Sequence, residues 1–436
     1  MDFRQYVDKL ESEGNLYRIG KVVSGDVEAA AVLKAAEPTP VLFESIKENK
    51  GFRVAGNVFC TKESIAKYFG ITTADLIPKL TKAIDQRSQP EEIKNAPCQE
   101  VDMGTVDLNK LPILMHNKAD GGRYISSAVV ITRDPEYGQN LDFHRAMQIS
   151  NNKMSTRIIQ GRDFYKFLER NGEVEAAFCV GNTPNVLVAA ATSVQTGIDE
   201  LYIANALEKM RVTRAKSVNL MIPADCEVVL EGRVSMKERA AEGPFVDLTE
   251  TFDIVRQEPV FEVRKITHRK DPIWQALLPG ALEHKLLMGM PREPTIFKKV
   301  AESGVRCLDV NVNPGGCSWL HAIVKIEKKN EDDGKKAILA AFAGHSSCKH
   351  VFVVDKDINI YDPLQVEWAM ATRFQADRGL VNKGKEPGSS LDPSADPQTK
   401  MTNKVGFDLT APLVTKGKNF ARVEFPKVDL KKYIEE

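Results

Sequence analysis

The sequence predicts an α+β multidomain protein, on three observations. A chain of 436 residues is too long for one hydrophobic core and suits two or three. Its apolar periodicity changes along the chain, from alternating helical and strand-like pieces to short β-rich runs and back. Gly, Pro and Asn punctuate the middle runs closely, as they do between antiparallel strands. The chain thus divides into a small N-terminal α/β lobe over residues 1–105, a strand-rich middle over 106–300 and a C-terminal α/β section over 301–436. The middle reads as an antiparallel sheet or barrel.

The elements follow in order. Phe3, Tyr6, Val7 and Leu10 recur at helical spacing, with Gly14 as the stop. DVEAAAVLKAAE and KESIAKYFG read as helices, VLFESI and FRVAGNVF as strands, and QRSQPEEIKNAPCQE as the polar exit from the lobe. YISSAVVITRD, NLDFHRAMQIS, EAAFCVGN, CEVVLEGRV and PVFEVRKITHR are the strands of the middle. FYKFLERNG is a helix inserted among them, and EHKLLMGMPREPTIFKKVAESG is the helix leading out. The third section has strands at HAIVKIEKK and KHVFVVDKDINI and a helix at PLQVEWAMATRFQ. NKGKEPGSSLDPSADPQTKMTNK predicts a long loop, partly disordered, and VDLKKYIEE a short terminal helix.

Composition excludes several classes. Hydrophobic residues make up 42% and charged residues 28%, as in an ordinary globular chain. Lys+Arg and Asp+Glu are 60 each, so there is no global attraction to nucleic acid or to an anionic membrane. No apolar run reaches the roughly 18–20 residues of a membrane span, and the mixed-charge start is unlike a signal peptide. Seven scattered cysteines, none at CxxC spacing, predict reduced thiols in the cytoplasm and no zinc cluster. Neither a dinucleotide fingerprint nor a P-loop occurs. NVNPGGCSW reads as a tight turn and KKNEDDGKK as a solvated hairpin tip or loop. His116, His268, His321 and His350 read as isolated structural histidines, whereas the small residues around His345 resemble those beside a cofactor.

Polar groups fall where a strand-rich core wants apolar ones. In NLDFHRAMQ, strand alternation puts Asn140, Asp142 and His144 on one face and Leu141, Phe143 and Arg145 on the other. With Asp163 of GRDFYKF and Glu200 of GIDELYIANAL, an amide oxygen and two carboxylates form a hard-oxygen set suited to Mg²⁺ or Mn²⁺. In ERAAEGPFVDL a Gly-Pro turn can fold Glu242 and Asp247 toward one point. An arginine between two such acids keeps one ionised, and the other can then serve as a proton donor.

The ordered set NLDFHR, DELYIANAL and EGPF-x-D resembles the UbiD family of reversible aromatic-acid decarboxylases. GGRYISSAVVITRDPEYG, ITHRKDPIWQALLPG and KVGFDLTAP extend the resemblance over nearly the whole chain. It implies a split β-barrel flavin-binding domain in the middle and a C-terminal oligomerisation domain, hence a homodimer or larger homo-oligomer in which VDLKKYIEE docks on a neighbour. It also implies prenylated FMN, supplied by a flavin prenyltransferase and held through a manganese (or magnesium) ion with potassium nearby. The implied metal ligands are Asn140, Glu200 and Asp163, the last standing where many members carry histidine. The implied cofactor contacts are Leu141, Asp142, Phe143, His144 and Arg145, then Arg162, Thr192, Ser193 and Val194. The implied catalytic network is Arg145 as carboxylate clamp, Glu242 as its orienter and Asp247 as proton donor.

The resemblance places substrate choice in EHKLLMGMPREP. On a helix His284, Met288 and Arg292 would line one side of a pocket. A His and Arg pair suggests a polar second group on the substrate, most simply another carboxylate, a pattern similar to the family's decarboxylases of furan-2,5-dicarboxylic and pyrrole-2-carboxylic acids. The alternatives are a phosphorylated unsaturated acid of the anhydromevalonate phosphate type and a non-catalytic flavin-binding relative, which would not need Arg145, Glu242 and Asp247.

Overall fold

The computed structural model describes residues 1–414, 417, 419–423, 425–429, 432 and 433. The expected terminal helix over 428–436 falls largely outside these residues. No helix among the described residues is long and apolar enough to cross a membrane. All seven cysteines are free.

Helix α1 (Phe3–Ser12) is capped by Asp2 and Gln5 in a reciprocal box and buries Phe3, Tyr6, Val7 and Leu10, as the spacing predicts. Tyr6 stacks on Phe59 with ring centroids 5.4 Å apart. A four-stranded sheet follows the order β1 (Tyr17–Ile19), β2 (Val41–Phe43), β3 (Arg53–Gly56) and Ile273–Ala276. Its last strand comes from the far end of the middle section and pairs in parallel with β3. Helices α2 (Glu28–Ala36), α3 (Lys62–Phe69) and α4 (Leu76–Asp85) complete the lobe.

The middle is a nine-stranded antiparallel sheet. Its strands are β4 (Tyr124–Ile125), β5 (Val129–Asp134), β6 (Gly138–Phe143), β7 (Ala146–Gln148), β8 (Lys153–Thr156), β9 (Glu173–Val180), β10 (Val228–Glu242) and β13 (Arg256–His268), with Val101–Asp102 at one side. The order is β4-β7-β8-β13-β10-β9-β5-β6. Helix α5 (Asp163–Asn171) buries Phe164, Phe167 and Leu168 beneath the sheet. Helices α6 (Pro184–Ala191) and α7 (Glu200–Leu207) are almost wholly buried. A small ribbon, β11 (Phe245–Val246) with β12 (Phe252–Asp253), joins β10 to β13. The strand Ile273–Ala276 is β14.

The expected exit helix is broken. Helix α8 (Leu282–Gly289) gives way to a 3-10 turn at Met290–Arg292, and α9 (Glu293–Glu302) resumes. Pro291 and Pro294 cannot donate backbone hydrogen bonds within a continuous helix. His284, Met288 and Arg292 therefore do not share one regular helical face.

The C-terminal sheet runs β15 (Arg306–Asn311), β16 (His321–Glu327), β17 (His350–Asp355), β19 (Met401–Asp408) and β18 (Leu380–Pro387). Here the sequence reading needs correction. The segment read as a long loop is loop only over 388–400; its two ends, 382–387 and 401–404, belong to the β18–β19 hairpin. An edge strand exposed on most of its length needs no apolar face, so composition hid it. The KKNEDDGKK run is not a hairpin tip; Asp333 accepts from the Lys329 and Asn330 amides and opens helix α10 (Asp333–Gly344). NPGG is the tight turn expected. His321 and His350 are not isolated, since their ring nitrogens meet at 2.9 Å.

Candidate active site

The site begins where β6 ends. β6 pairs with β5, whereas β7 pairs with β4 and β8, so His144 and Arg145 lie at a change of partner. His144 turns back along its own face, with Nε2 2.9 Å from Asp142 Oδ1 and Nδ1 2.8 Å from the Arg157 carbonyl. Burial opposes its charge, but Asp142 outweighs burial and raises its pKa.

Arg145 goes the other way into a nest of carboxylates. Its Nε donates to Glu242 Oε1 at 2.8 Å and Nη2 to Glu242 Oε2 at 3.0 Å, a two-pronged pairing. Nη1 donates to Asp247 Oδ2 at 3.0 Å, and Nη2 also to Asp253 Oδ2 at 2.9 Å. A guanidinium has five N–H groups, so these four bonds leave one, on Nη1 beside Asp247. Burial disfavours the charge, yet Glu242, Asp247 and Asp253 hold the arginine above its ordinary pKa. Glu242 is fully buried and also accepts from Tyr124 Oη at 3.1 Å; Asp247 keeps 18% side-chain exposure, enough to meet a ligand. Phe245 lies under the guanidinium at 5.2 Å and stacks on Tyr124 at 3.9 Å.

The expected Gly-Pro turn delivers both acids. Gly243 has φ +97°, a left-handed conformation that a side chain resists, and a Cβ there would meet the Ile254 carbonyl at 3.0 Å. Asp247 heads a tight turn closed by Asp247 N–H to the Thr251 carbonyl at 2.9 Å. That turn rests on the segment just before α8: a Cβ on Gly280 would come within 2.9 Å of the Asp247 carbonyl oxygen. His284 Nδ1 accepts the Gly280 N–H at 3.0 Å, which leaves Nε2 carrying the ring hydrogen. Burial lowers the His284 pKa, against the pull of Asp247.

A second cluster lies on the α6–α7 loop. Ser193 Oγ accepts from Arg292 Nη1 at 2.6 Å and from Arg162 Nη1 at 3.3 Å. Arg292 also donates to the Ala191 carbonyl at 3.1 Å and lies 5.2 Å from the Trp319 ring centroid. Its Nε has no partner, and among the described residues no carboxylate pairs with Arg292. Burial, with Arg162 beside it, lowers its pKa to about 10. His345, bonded to the Trp319 carbonyl at 2.9 Å, is pushed down to about 3 by burial and by Arg292, so it is a neutral wall of this cluster. Thr192 is tied to the Val188 carbonyl, and Val194 packs on the core.

The proposed ligand set is only partly assembled by direct contacts. Glu200 heads α7 and accepts the Leu141 N–H at 2.8 Å, which brings it to β6 beside Asn140. Burial pushes the Glu200 carboxyl well above its ordinary pKa, and Asp142 and Asp199 add to the effect. Asn140 is buried with its Nδ2 unpartnered. Asp163 instead accepts from Lys166 Nζ and Thr196 Oγ1, both at 2.7 Å. Among the described residues no group of three His, Cys, Asp or Glu is disposed as a metal site. The donor chemistry of Asn140 and Glu200 still fits one divalent cation, which would balance an uncompensated buried carboxylate.

Sequence reasoning united His284, Met288 and Arg292; the structure divides them, His284 with the Asp247 turn and Arg292 with Arg162 and Ser193. It missed Asp253, Tyr124 and the Arg157–Glu258 pair (2.7 Å), since no local spacing links them to Arg145.

Comparison with known proteins names the fold. Three family profiles match: the 3-octaprenyl-4-hydroxybenzoate carboxy-lyase N-terminal domain over 7–84, its Rift-related domain over 91–282 and its C-terminal domain over 285–409. A protein of Methanocaldococcus jannaschii named anhydromevalonate phosphate decarboxylase is 39% identical over 91% of this chain and 94% of its own. One of Methanosarcina mazei with the same name is 38% identical over 98% of this chain and 100% of its own. The solved UbiD-class enzyme HmfF of Pelotomaculum thermopropionicum, in complex with FMN, superposes with TM-score 0.95 at 34% identity, covering 100% of both chains. An evolved dimeric form of HmfF with prFMN gives 0.91 at 32%, covering 99% of this chain and 100% of its own. With profiles matching from residue 7 to 409 and the carboxylate-held arginine in place, the chain belongs to the UbiD family of carboxy-lyases.

Proposed function

We propose that this decarboxylase acts on an unsaturated acid carrying a phosphate ester, of the anhydromevalonate phosphate type, with prenylated FMN as cofactor. The observation that carries the substrate class is Arg292, a half-buried guanidinium that pairs with no carboxylate among the described residues and shares Ser193 with Arg162. A guanidinium that no carboxylate neutralises, with a hydroxyl beside it, suits a phosphate dianion better than a second carboxylate, while Arg162 on the other side of Ser193 is left for the cofactor. The names of the relatives at 37–39% identity support the same class.

When bound, prenylated FMN supplies the electron sink for the carbanion that loss of CO2 leaves. Asn140 and Glu200 would hold a manganese or magnesium ion at the cofactor phosphate, with potassium nearby, and Arg162 would face the same phosphate. The chain's own residues do the rest. The free Nη1 hydrogen of Arg145 binds the departing carboxylate. Glu242, itself held by the Tyr124 hydroxyl, fixes the guanidinium, so that the carboxylate lies next to Asp247. Asp247 then gives its proton to the carbon. Glu242 is too deeply buried for that role. A flavin prenyltransferase supplies the cofactor, and the enzyme acts as a homodimer or larger homo-oligomer.

The test is CO2 release by protein co-expressed with a flavin prenyltransferase. The panel is anhydromevalonate phosphate, furan-2,5-dicarboxylate and pyrrole-2-carboxylate. Turnover of the phosphorylated acid alone is the expected result; turnover of only the heteroaromatic acids would return the substrate to that class.

A further inference from the structure

Arg145 carries a third carboxylate outside the motif pattern. Asp253 lies on β12 opposite Phe245, and its Oδ2 accepts from Arg145 Nη2 at 2.9 Å. The same oxygen is 2.6 Å from Arg256 Nη1 and 3.9 Å from Arg157 Nε. Arg157 is in turn paired with Glu258 at 2.7 Å. Asp253 thus joins Arg145 to two cations that form no ion pair with Glu242 or Asp247, although Arg256 stands opposite Glu242 across the strands.

The charges around Asp247 can be named element by element. Arg145 comes from the end of β6, Glu242 from β10, Asp253 from β12, and Arg256 and Glu258 from β13. His284 and Lys285 face it from α8, and Glu250 from its own turn. Tyr124 and Asp120 lie behind Arg145. Among the described residues only Arg145 contacts the Asp247 carboxylate as an ion pair, and it divides its positive charge among three acids. Whatever draws the guanidinium toward Asp253 leaves less of it for Asp247.

We propose that Asp253 is a positioning residue which, through Arg145, sets how firmly Asp247 holds its transferable proton. The inference rests on the reading of Asp247 as proton donor. Neutralising Asp253 would concentrate Arg145 on Glu242 and Asp247 and favour the Asp247 carboxylate. Removing Arg256 would do the reverse, because an uncompensated Asp253 would claim more of Arg145. The two changes lie at one contact yet push Asp247 in opposite directions, which a purely structural role would not do.

The experiment is an infrared pH titration of the whole protein, following the carboxylic-acid C=O band that Asp247→Asn removes. In Asp253→Asn the midpoint of that band should fall by about one pH unit, the size of effect expected for a neighbouring charge. In Arg256→Gln it should rise, and Asp253→Glu should restore the wild-type midpoint. An unmoved midpoint in both Asp253→Asn and Arg256→Gln overturns the proposal. If Asp253→Asn fails to fold, the direction of the Arg256→Gln shift decides alone. If no band separates wild type from Asp247→Asn, the proton-donor reading itself fails, a distinct result.

Discussion

Lys285 is ion-paired with Glu250, three residues beyond Asp247, and so ties helix α8 to the turn that carries Asp247, the proposed proton donor. The pair holds the Glu250 carboxyl below its ordinary pKa. Glu250 is 56% exposed, so the pair adds only about 0–1 kcal/mol of stability. Its effect is on position. Lys285→Met should leave the melting temperature and flavin content nearly unchanged while kcat falls about 10-fold, since small misplacements of reacting groups are costly. Equal kcat would show that Gly280 alone seats the turn.

Asp247→Asn keeps the size of the side chain and its bond from Arg145, but removes the proton. Flavin content should stay at the wild-type level and CO2 release should fall by about 10²–10⁴-fold, the usual range for general acid catalysis. Near-normal turnover would take Asp247 out of the mechanism.

Glu200→Ala removes the buried acid beside Asn140. The purified variant should contain neither metal nor flavin by elemental analysis and absorbance. Full retention of both would move the metal site elsewhere. Asp163→Ala, whose carboxylate is already met by Lys166 and Thr196, should lose less.

Arg292→Ala separates the two phosphates that the proposed reaction brings to the site. Flavin content is expected to hold, because Arg162 remains. For the phosphorylated acid kcat/KM should fall by roughly 30- to 1000-fold, as when one partner of a buried charge pair is removed. Loss of flavin instead would assign Arg292 to the cofactor.

Glu283 gives a pH prediction unconnected with catalysis. Burial pushes its carboxyl up to about 8, and Oε1 accepts the Phe59 N–H at 3.1 Å. Between roughly pH 4.5 and 8 the unfolded chain releases this proton and the folded one keeps it, so stability falls as pH rises. Glu283→Gln abolishes the difference. Denaturant titrations should find the variant and wild type alike near pH 4, with the variant ahead by on the order of 5 kcal/mol above pH 8.

Periodicity sufficed where one face is buried. The α1 stripe of Phe3, Tyr6, Val7 and Leu10 was legible because 3.6-residue spacing is the only local way to bury those four together. The β18–β19 hairpin was not, since an exposed edge strand has no apolar face to display. At the site, alternation along NLDFHR rightly put His144 with Asp142 and Arg145 on the other side. Asp253 could not be read, because β12 reaches Arg145 only through the ribbon with β11. The division of His284 from Arg292 comes from Pro291 and Pro294, which break a pattern whose apolar spacing is otherwise continuous.

The strand Ile273–Ala276 completes the sheet begun by Tyr17–Ile19, Val41–Phe43 and Arg53–Gly56. As the polypeptide leaves the ribosome, the edge at Arg53–Gly56 therefore waits unpaired until nearly all of the central sheet has been synthesised. An N-terminal fragment ending near residue 105 would present that edge to any passing strand, and sequence separation of this kind slows folding. Maturation of the first-made lobe is bound to the arrival of the segment just ahead of α8, so the lobe's sheet and the Gly280 surface that seats the Asp247 turn become native together.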